Sequence, residues 1–190
     1  MFSTNKKGVF IILGLLSLSS IAFVVYKYQT NKSIVTSTPT INAIGTDYKG
    51  LLPGKSTEEE IVNTLGIPIK ESTTDNAKIL EYKSKNPNYN NTFYAQQGIL
   101  NLVKEIIVPD DNTKISNIAE QYGNYEEVLY KSGSEVGFNL YIYPDKGIAY
   151  IGHQPSGIVI EVWYFPPTDF ENFKKMYAPD MPDQPIPKYY

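Results

Sequence analysis

Two glutamates, Glu105 and Glu161, are the residues whose type and placement come nearest to a catalytic arrangement in this chain. Each lies in a strand-like run ending at a proline, KEIIVPD to Pro109 and IEVWYFPP to Pro166, so they form a candidate pair for carboxylate-dependent work on cell-envelope polymers. That chemistry requires the two carboxyl groups about 5 to 9.5 Å apart in a cleft, which a flat sheet does not readily offer. The single histidine, His153, sits in the turn-like GHQPSG. One histidine cannot build a triad or a multi-histidine metal site, and it reads as a solvated turn residue. Asp110 and Asp111 precede a helix, as does the run Glu58–Glu60, and acids there fit capping and the helix dipole better than a cation site. No catalytic residue, metal ligand or cofactor is therefore assigned, and the chain is not expected to be an enzyme.

Binding chemistry has more material. There are 16 tyrosines and one tryptophan, side chains with a large apolar body and a polar tip that suit wet interfaces. In the strand FNLYIY, residues Asn139, Tyr141 and Tyr143 share one face, and in IVIEVWYF Glu161 shares a face with Trp163. The expectation is an exposed aromatic patch of Tyr141, Tyr143 and Trp163, joined by Tyr150, pointing away from the helices and binding a partner. The competing expectation is that these rings pack against the tether, the C-terminal tail or the other half of the domain.

The elements that position these residues recur. LLPGKSTEEEIVNTLGIP opens a first unit in which Ser56 and Glu59 suit a capping box, Ile61, Val62 and Leu65 form an apolar stripe, and Gly66 with Pro68 ends the helix. DDNTKISNIAEQYGNYEEV opens a second, with Asn112 or Thr113 as cap, Ile115, Ile118 and Tyr122 as stripe and Gly123 in the place of Gly66. The runs ILEYKS and EVLYKS follow the two helices. Two hairpins come next, FYAQQGILNLV and LYIYPDKGIAYI, in which Gly98 and Gly147 correspond, and Glu105 and Glu161 then occupy matching last strands. One such unit covers only one sheet face, so the prediction is an α+β domain with two units on a continuous or nearly continuous antiparallel sheet. Residues 47–109 form the first unit and 110–177 the second. The latter ends in a short helix within PPTDFENFKKMY, with Phe170 and Phe173 inward, and 178–190 make a Pro-rich tail.

Ahead of the domain, the uncharged run from Gly8 to Tyr26 is long enough as a helix to cross a bilayer. Ser20 and Ala22 offer a weak cleavage site, but apolar residues continue through Val25, which favours an uncleaved signal anchor. Lys6 and Lys7 precede it, placing residues 1–7 in the cytoplasm and the domain outside, although Lys27 and Lys32 oppose that orientation. The Ser-, Thr- and Asn-rich stretch over 27–46 reads as a flexible tether. From Asp47 onward 13 lysines face 20 acids, a net of −7, and arginine is absent throughout. Nucleic acid is excluded as a partner on that balance, and phosphate handling loses weight. Without cysteine there is no disulfide, thiolate nucleophile or lipidated cysteine.

The entry LLPGKSTEEEIVNTLGIP resembles that of the SmpA/OmlA (BamE-like) domain, matched at Pro53, Gly54, Leu65, Gly66 and Pro68. Its tandem form is similar to the β-lactamase inhibitory protein, whose fold repeats a helix-then-sheet unit. The resemblance spans about Tyr48 to Pro167 and implies a non-catalytic, extracytoplasmic binding role, exercised through a sheet face. The expected function is thus a single-pass, membrane-anchored binding module for a protein partner, without cofactor. A structural or assembly component of an envelope complex is the alternative.

Overall fold

The computed structural model describes residues 47–185, apart from 75, 109–112 and 132–136. The expected anchor over 8–26, the tether over 27–46, Asp110, Asp111 and Asn112 lie outside the described residues. Among the described residues no helix is long and apolar enough to cross a membrane.

Helix α1, Glu58–Leu65, starts at a capping box built from Thr57 and Glu60. Thr57 Oγ1 accepts from the Glu60 N–H at 3.2 Å, and the Glu60 carboxylate accepts from the Thr57 N–H at 2.8 Å. The box lies one residue beyond the predicted Ser56 and Glu59. Ser56 is buried, and its hydroxyl accepts from the Leu52 N–H at 3.1 Å, holding the entry turn instead. Helix α2, Ile115–Tyr122, begins after Lys114 without any side-chain cap. Thr113, a predicted cap, uses its carbonyl to accept from Val159 N–H. Both helices end as predicted at glycine: Gly66 and Gly123 have φ of 84° and 83° and send their N–H groups to Val62 and Ala119.

Four strands follow each helix. After α1 come β1 (Lys70–Thr73), β2 (Lys78–Lys83), β3 (Asn90–Gln96) and β4 (Ile99–Ile106). After α2 come β5 (Glu127–Tyr130), β6 (Phe138–Tyr143), β7 (Ile148–His153) and β8 (Val159–Tyr164), and helix α3 (Phe170–Tyr177) closes the fold. All eight strands make one antiparallel sheet in the order β1-β2-β3-β4-β8-β7-β6-β5. The continuous α+β sheet is therefore present, and its two halves meet at β4 and β8.

Strand by strand, the duplication differs from the sequence matches. ILEYKS lies in β2 but EVLYKS starts β5, the counterpart of β1. β1 carries four exposed residues, KEST, so it had no apolar alternation to announce it. Gly98 corresponds to Gly157, not Gly147: Glu58 N–H donates to the Gly98 carbonyl and Ile115 N–H to the Gly157 carbonyl, both at 2.9 Å. The bridges Thr57–Ile99 and Lys114–Ile158 repeat the same contact. Each half also carries one bulge, with Asn101 extra between Leu100 and Leu102, and Ile160 extra between Val159 and Glu161. Counting on from the bulges carries Lys104 onto Trp163. These two are also direct cross-strand partners, so the local twofold of the domain passes between them.

One sheet face packs against α1 and α2 around Ile61, Ile118, Phe93, Tyr143, Tyr150 and Tyr164. Among the described residues the opposite face is covered mainly over the second half, where Leu129, Leu140, Ile142, Ala149, Ile151 and Trp163 meet Phe173 of α3 and Ala178 beyond it, and the cover reaches the first half at Leu102 and Tyr94. Asp169 caps α3, accepting from the Asn172 N–H at 2.8 Å, and its Phe170 and Phe173 turn inward as predicted. The following tail adds a bond to the sheet edge, Tyr130 N–H to the Pro182 carbonyl at 2.8 Å.

Candidate functional site

The four predicted binding residues are buried, not exposed. Tyr141, Tyr143, Tyr150 and Trp163 retain 6%, 1%, 1% and 5% of their accessible surface. They also divide between the two faces. Tyr143 and Tyr150 lie in the core beneath α1 and α2, with Tyr141 paired to Tyr150 across the strands, whereas Trp163 lies beneath α3. Alternation along FNLYIY places Tyr141 and Tyr143 on one face as predicted, but they point toward a helix because both faces of β6 and β7 are covered. Burial raises the pKa of the Tyr141 and Tyr143 phenols, with Tyr125 adding repulsion, and that of Tyr150, with Tyr122 and Tyr143 adding it.

The predicted carboxylate pair is separated by the sheet itself. Glu105 pairs with Val162 and points to the face of α1, where Tyr164 Oη donates to Glu105 Oε2 at 2.6 Å. Glu161 pairs with Ile106 and points to the opposite face, accepting from Trp163 Nε1 at 2.7 Å. The correspondence that carries Lys104 onto Trp163 carries Glu105 onto Tyr164, three positions from Glu161, so period-two alternation sends the two acids to opposite sides. His153 ends β7 with Nδ1 2.9 Å from Ser156 Oγ and its ring against Phe138.

Among the described residues, the part of the α3 face with least cover lies over β2 and β3. β2 and β3 alternate between buried and partly exposed positions, whereas five consecutive residues of β6 and of β7 are buried. Ile79, Glu81, Thr92, Tyr94 and Lys104 occupy this bare face, and Glu81 is held there by Lys70 at 2.7 Å and Asn90 at 2.9 Å.

Lys104 is the centre of this surface. Its ammonium lies 3.8 Å from the centroid of the Trp163 ring and 5.7 Å from that of Tyr94. Burial lowers the Lys104 pKa, Lys131 pushes the same way, and the Glu161 carboxylate opposes them. Among the described residues no carboxylate stands within ion-pair distance of it. Beside Lys104 opens a cleft of about 290 Å³ between the β1–β2 connection at Asn76 and Ala77, strands β3 and β4, and the end of α3 at Met176 and Tyr177. The bulge turns Asn101 into this cleft, where its Oδ1 accepts from Tyr177 Oη at 3.1 Å and its amide reaches Gln96 at 3.4 Å. Sequence reasoning passed over Lys104. The available signal was a lysine within a largely apolar strand, ILNLVKEI, on the face opposite Val103 and Glu105.

No family model and no curated protein matches this chain. Two solved structures show a partial likeness to this chain. A DUF4309 family protein (YjgB) from Bacillus subtilis subsp. subtilis str. 168 shares 14% identity with a TM-score of 0.45, over 60% of this chain and 81% of that one. An extracellular protein containing a SCP domain from Bacillus anthracis str. Ames shares 14% identity with a TM-score of 0.44, over 65% of this chain and 45% of that one. Neither is described as a SmpA/OmlA domain or a β-lactamase inhibitory protein.

Proposed function

We propose that this chain is a non-catalytic binding module, anchored in the cell membrane through residues 8–26, that engages a protein partner outside the cytoplasm with the bare half of its sheet. The observation that carries the reading is the unequal cover of two otherwise matching halves: α3 packs on β6, β7 and β8 and reaches the first half at Leu102 and Tyr94, while among the described residues no helix covers the outer face of β2. A half-covered antiparallel sheet ordinarily presents a polar outer face. Here that face holds Ile79 and Tyr94 among Glu81, Thr92 and Lys104, a mixture of aromatic, aliphatic and charged groups suited to a wet interface. The helix-then-sheet tandem supports the SmpA/OmlA-like resemblance as part of this reading, and the lysines ahead of the apolar run support the outward orientation.

The test is photocrosslinking on intact cells carrying the full chain, with a photoreactive residue placed in turn at Ile79, Thr92 and Tyr94. One reproducible protein adduct, lost on Tyr94→Ala combined with Ile79→Ala, is the expected outcome. Adducts confined to the chain itself, or unchanged by those substitutions, would remove the docking face. Protection of the domain from external protease in intact cells would remove the orientation.

A further inference from the structure

We propose that the cleft beside Lys104 is a site for a small carboxylic acid whose scaffold carries hydroxyl or amide groups. This stands apart from the protein-docking reading, since a small ligand needs the cleft and not the whole sheet face. The ammonium of Lys104 lies over an aromatic floor at 3.8 Å from the Trp163 centroid, which favours the cation but satisfies none of its three N–H donors. The carboxylate that acts on it, Glu161, already accepts from Trp163 Nε1 at 2.7 Å and does not form an ion pair with it. A partly buried cation that no hydrogen-bond acceptor meets among the described residues is stabilised by an anion that brings acceptors into the cleft.

The remaining lining selects among anions. A single lysine, in a chain with no arginine, matches one negative charge and the two oxygens of a carboxylate better than a dianionic phosphate. Asn76, Gln96 and Asn101 offer carboxamides that both donate and accept, and Tyr94 and Tyr177 offer rings and phenols, so the rest of the ligand meets groups that pair with hydroxyls and amides. The cleft, at about 290 Å³, lies at the lower end of small-molecule sites and fits one sugar or amino-acid unit. An acidic sugar and an acylated amino acid share this chemistry.

The test is calorimetric titration of the full chain, purified in detergent, with D-glucuronate, N-acetylalanine, glucose and inorganic phosphate, with Trp163 emission as a second readout. Saturable binding of at least one carboxylate with a Kd of about 1 mM or tighter is expected, weakened at least about tenfold by Lys104→Met. Gln96→Ala, at an exposed position, weakens it without touching the strand core, and Glu161→Gln tightens it by removing a repelling charge. Preference for glucuronate identifies the sugar source and preference for N-acetylalanine the amino-acid source. No saturable binding of either carboxylate, glucose or phosphate binding as tightly, or binding unchanged in both Lys104→Met and Gln96→Ala would overturn the assignment.

Discussion

Tyr82 and Tyr143 make the same bond in the two halves of the domain. Tyr82 Oη donates to the Gly66 carbonyl at 3.1 Å and Tyr143 Oη to the Gly123 carbonyl at 2.9 Å. Each tyrosine stands on the second strand of its unit and each glycine ends the helix of that unit, so the phenol satisfies a carbonyl the helix leaves unpaired. Sheet and helix are thereby joined at one equivalent point, 16 residues apart in the first unit and 20 in the second.

Removing that hydroxyl leaves ring packing in place and an unpaired carbonyl behind. Tyr143→Phe is expected to lower unfolding stability by about 1 kcal/mol, as is Tyr82→Phe. The sites lie in different halves, so the double variant loses about the sum. Urea midpoints at constant slope measure this. A double variant as stable as the parent would show the bonds to be incidental.

Glycine substitutions separate strain from collision. At Gly66, φ is 84° and a Cβ would meet nothing within 4 Å, so Gly66→Ala costs only the backbone strain of a conformation that side chains rarely adopt, about 1–3 kcal/mol. At Gly147, φ is 66° and a Cβ would lie 2.3 Å from the Phe165 carbonyl oxygen, which is held by the Phe165 N–H bond back to the Gly147 carbonyl at 3.0 Å. Gly147→Ala must therefore open the junction of β8 with the β6–β7 turn, and the expected loss exceeds that of Gly66→Ala. Equal denaturant midpoints for the two variants would contradict this.

The sequence made the helices and the sheet legible because their signals are local: stripes such as Ile115, Ile118 and Tyr122, and stop glycines at Gly66 and Gly123. The pairing of the halves was harder. ILEYKS and EVLYKS share three residues but not a position, and only long-range bonds such as Ile115 to Gly157 set the true phase. The aromatic patch failed for a related reason. Alternation told which residues of FNLYIY share a face, but a strand covered on both sides carries no signal for which face meets which helix. Tyr141, Tyr143 and Tyr150 have polar tips that look suited to water, yet Tyr143 uses its hydroxyl on Gly123 and that of Tyr150 meets no partner among the described residues of the core. Lys104 and its cleft were hidden because β4, α3 and the β1–β2 connection are far apart in the chain.

Buried phenols give the fold an alkaline limit. Burial pushes the Tyr177 pKa up to about 12, against 10.0 for an ordinary tyrosine, with the Asn101 bond opposing. Burial raises Tyr150 and Tyr164 in the same direction, with Glu105 adding to Tyr164. A raised folded value means that the unfolded chain loses its proton first. The stabilisation is complete below pH 10 and is lost as pH rises toward and through about 12. Denaturant midpoints should fall over that window, and at pH about 11 the folded protein should show less tyrosinate absorbance than the unfolded protein. A midpoint constant across this range would contradict the burial of these hydroxyls.

The stacking of Lys104 on Trp163 gives the only tryptophan of the chain a titrating neighbour. Burial holds the Lys104 pKa below the ordinary 10.5, so the ammonium loses its proton from the folded protein at a lower pH than from the unfolded chain. The sign is opposite to that of the phenols: the buried charge disfavours folding at low pH, and this cost is relieved as pH rises through the lowered value to 10.5. Trp163 emission, excited to the red of tyrosine absorption, should change with a midpoint below 10.5, since the ring faces a cation on one side of the transition and a neutral amine on the other. Lys104→Met should abolish the transition. Glu161→Gln should move its midpoint lower still, because the Glu161 carboxylate favours the charged amine. A transition that persists in Lys104→Met, or that moves upward in Glu161→Gln, would mean that Trp163 reports on another group and that the cation is not seated on its ring.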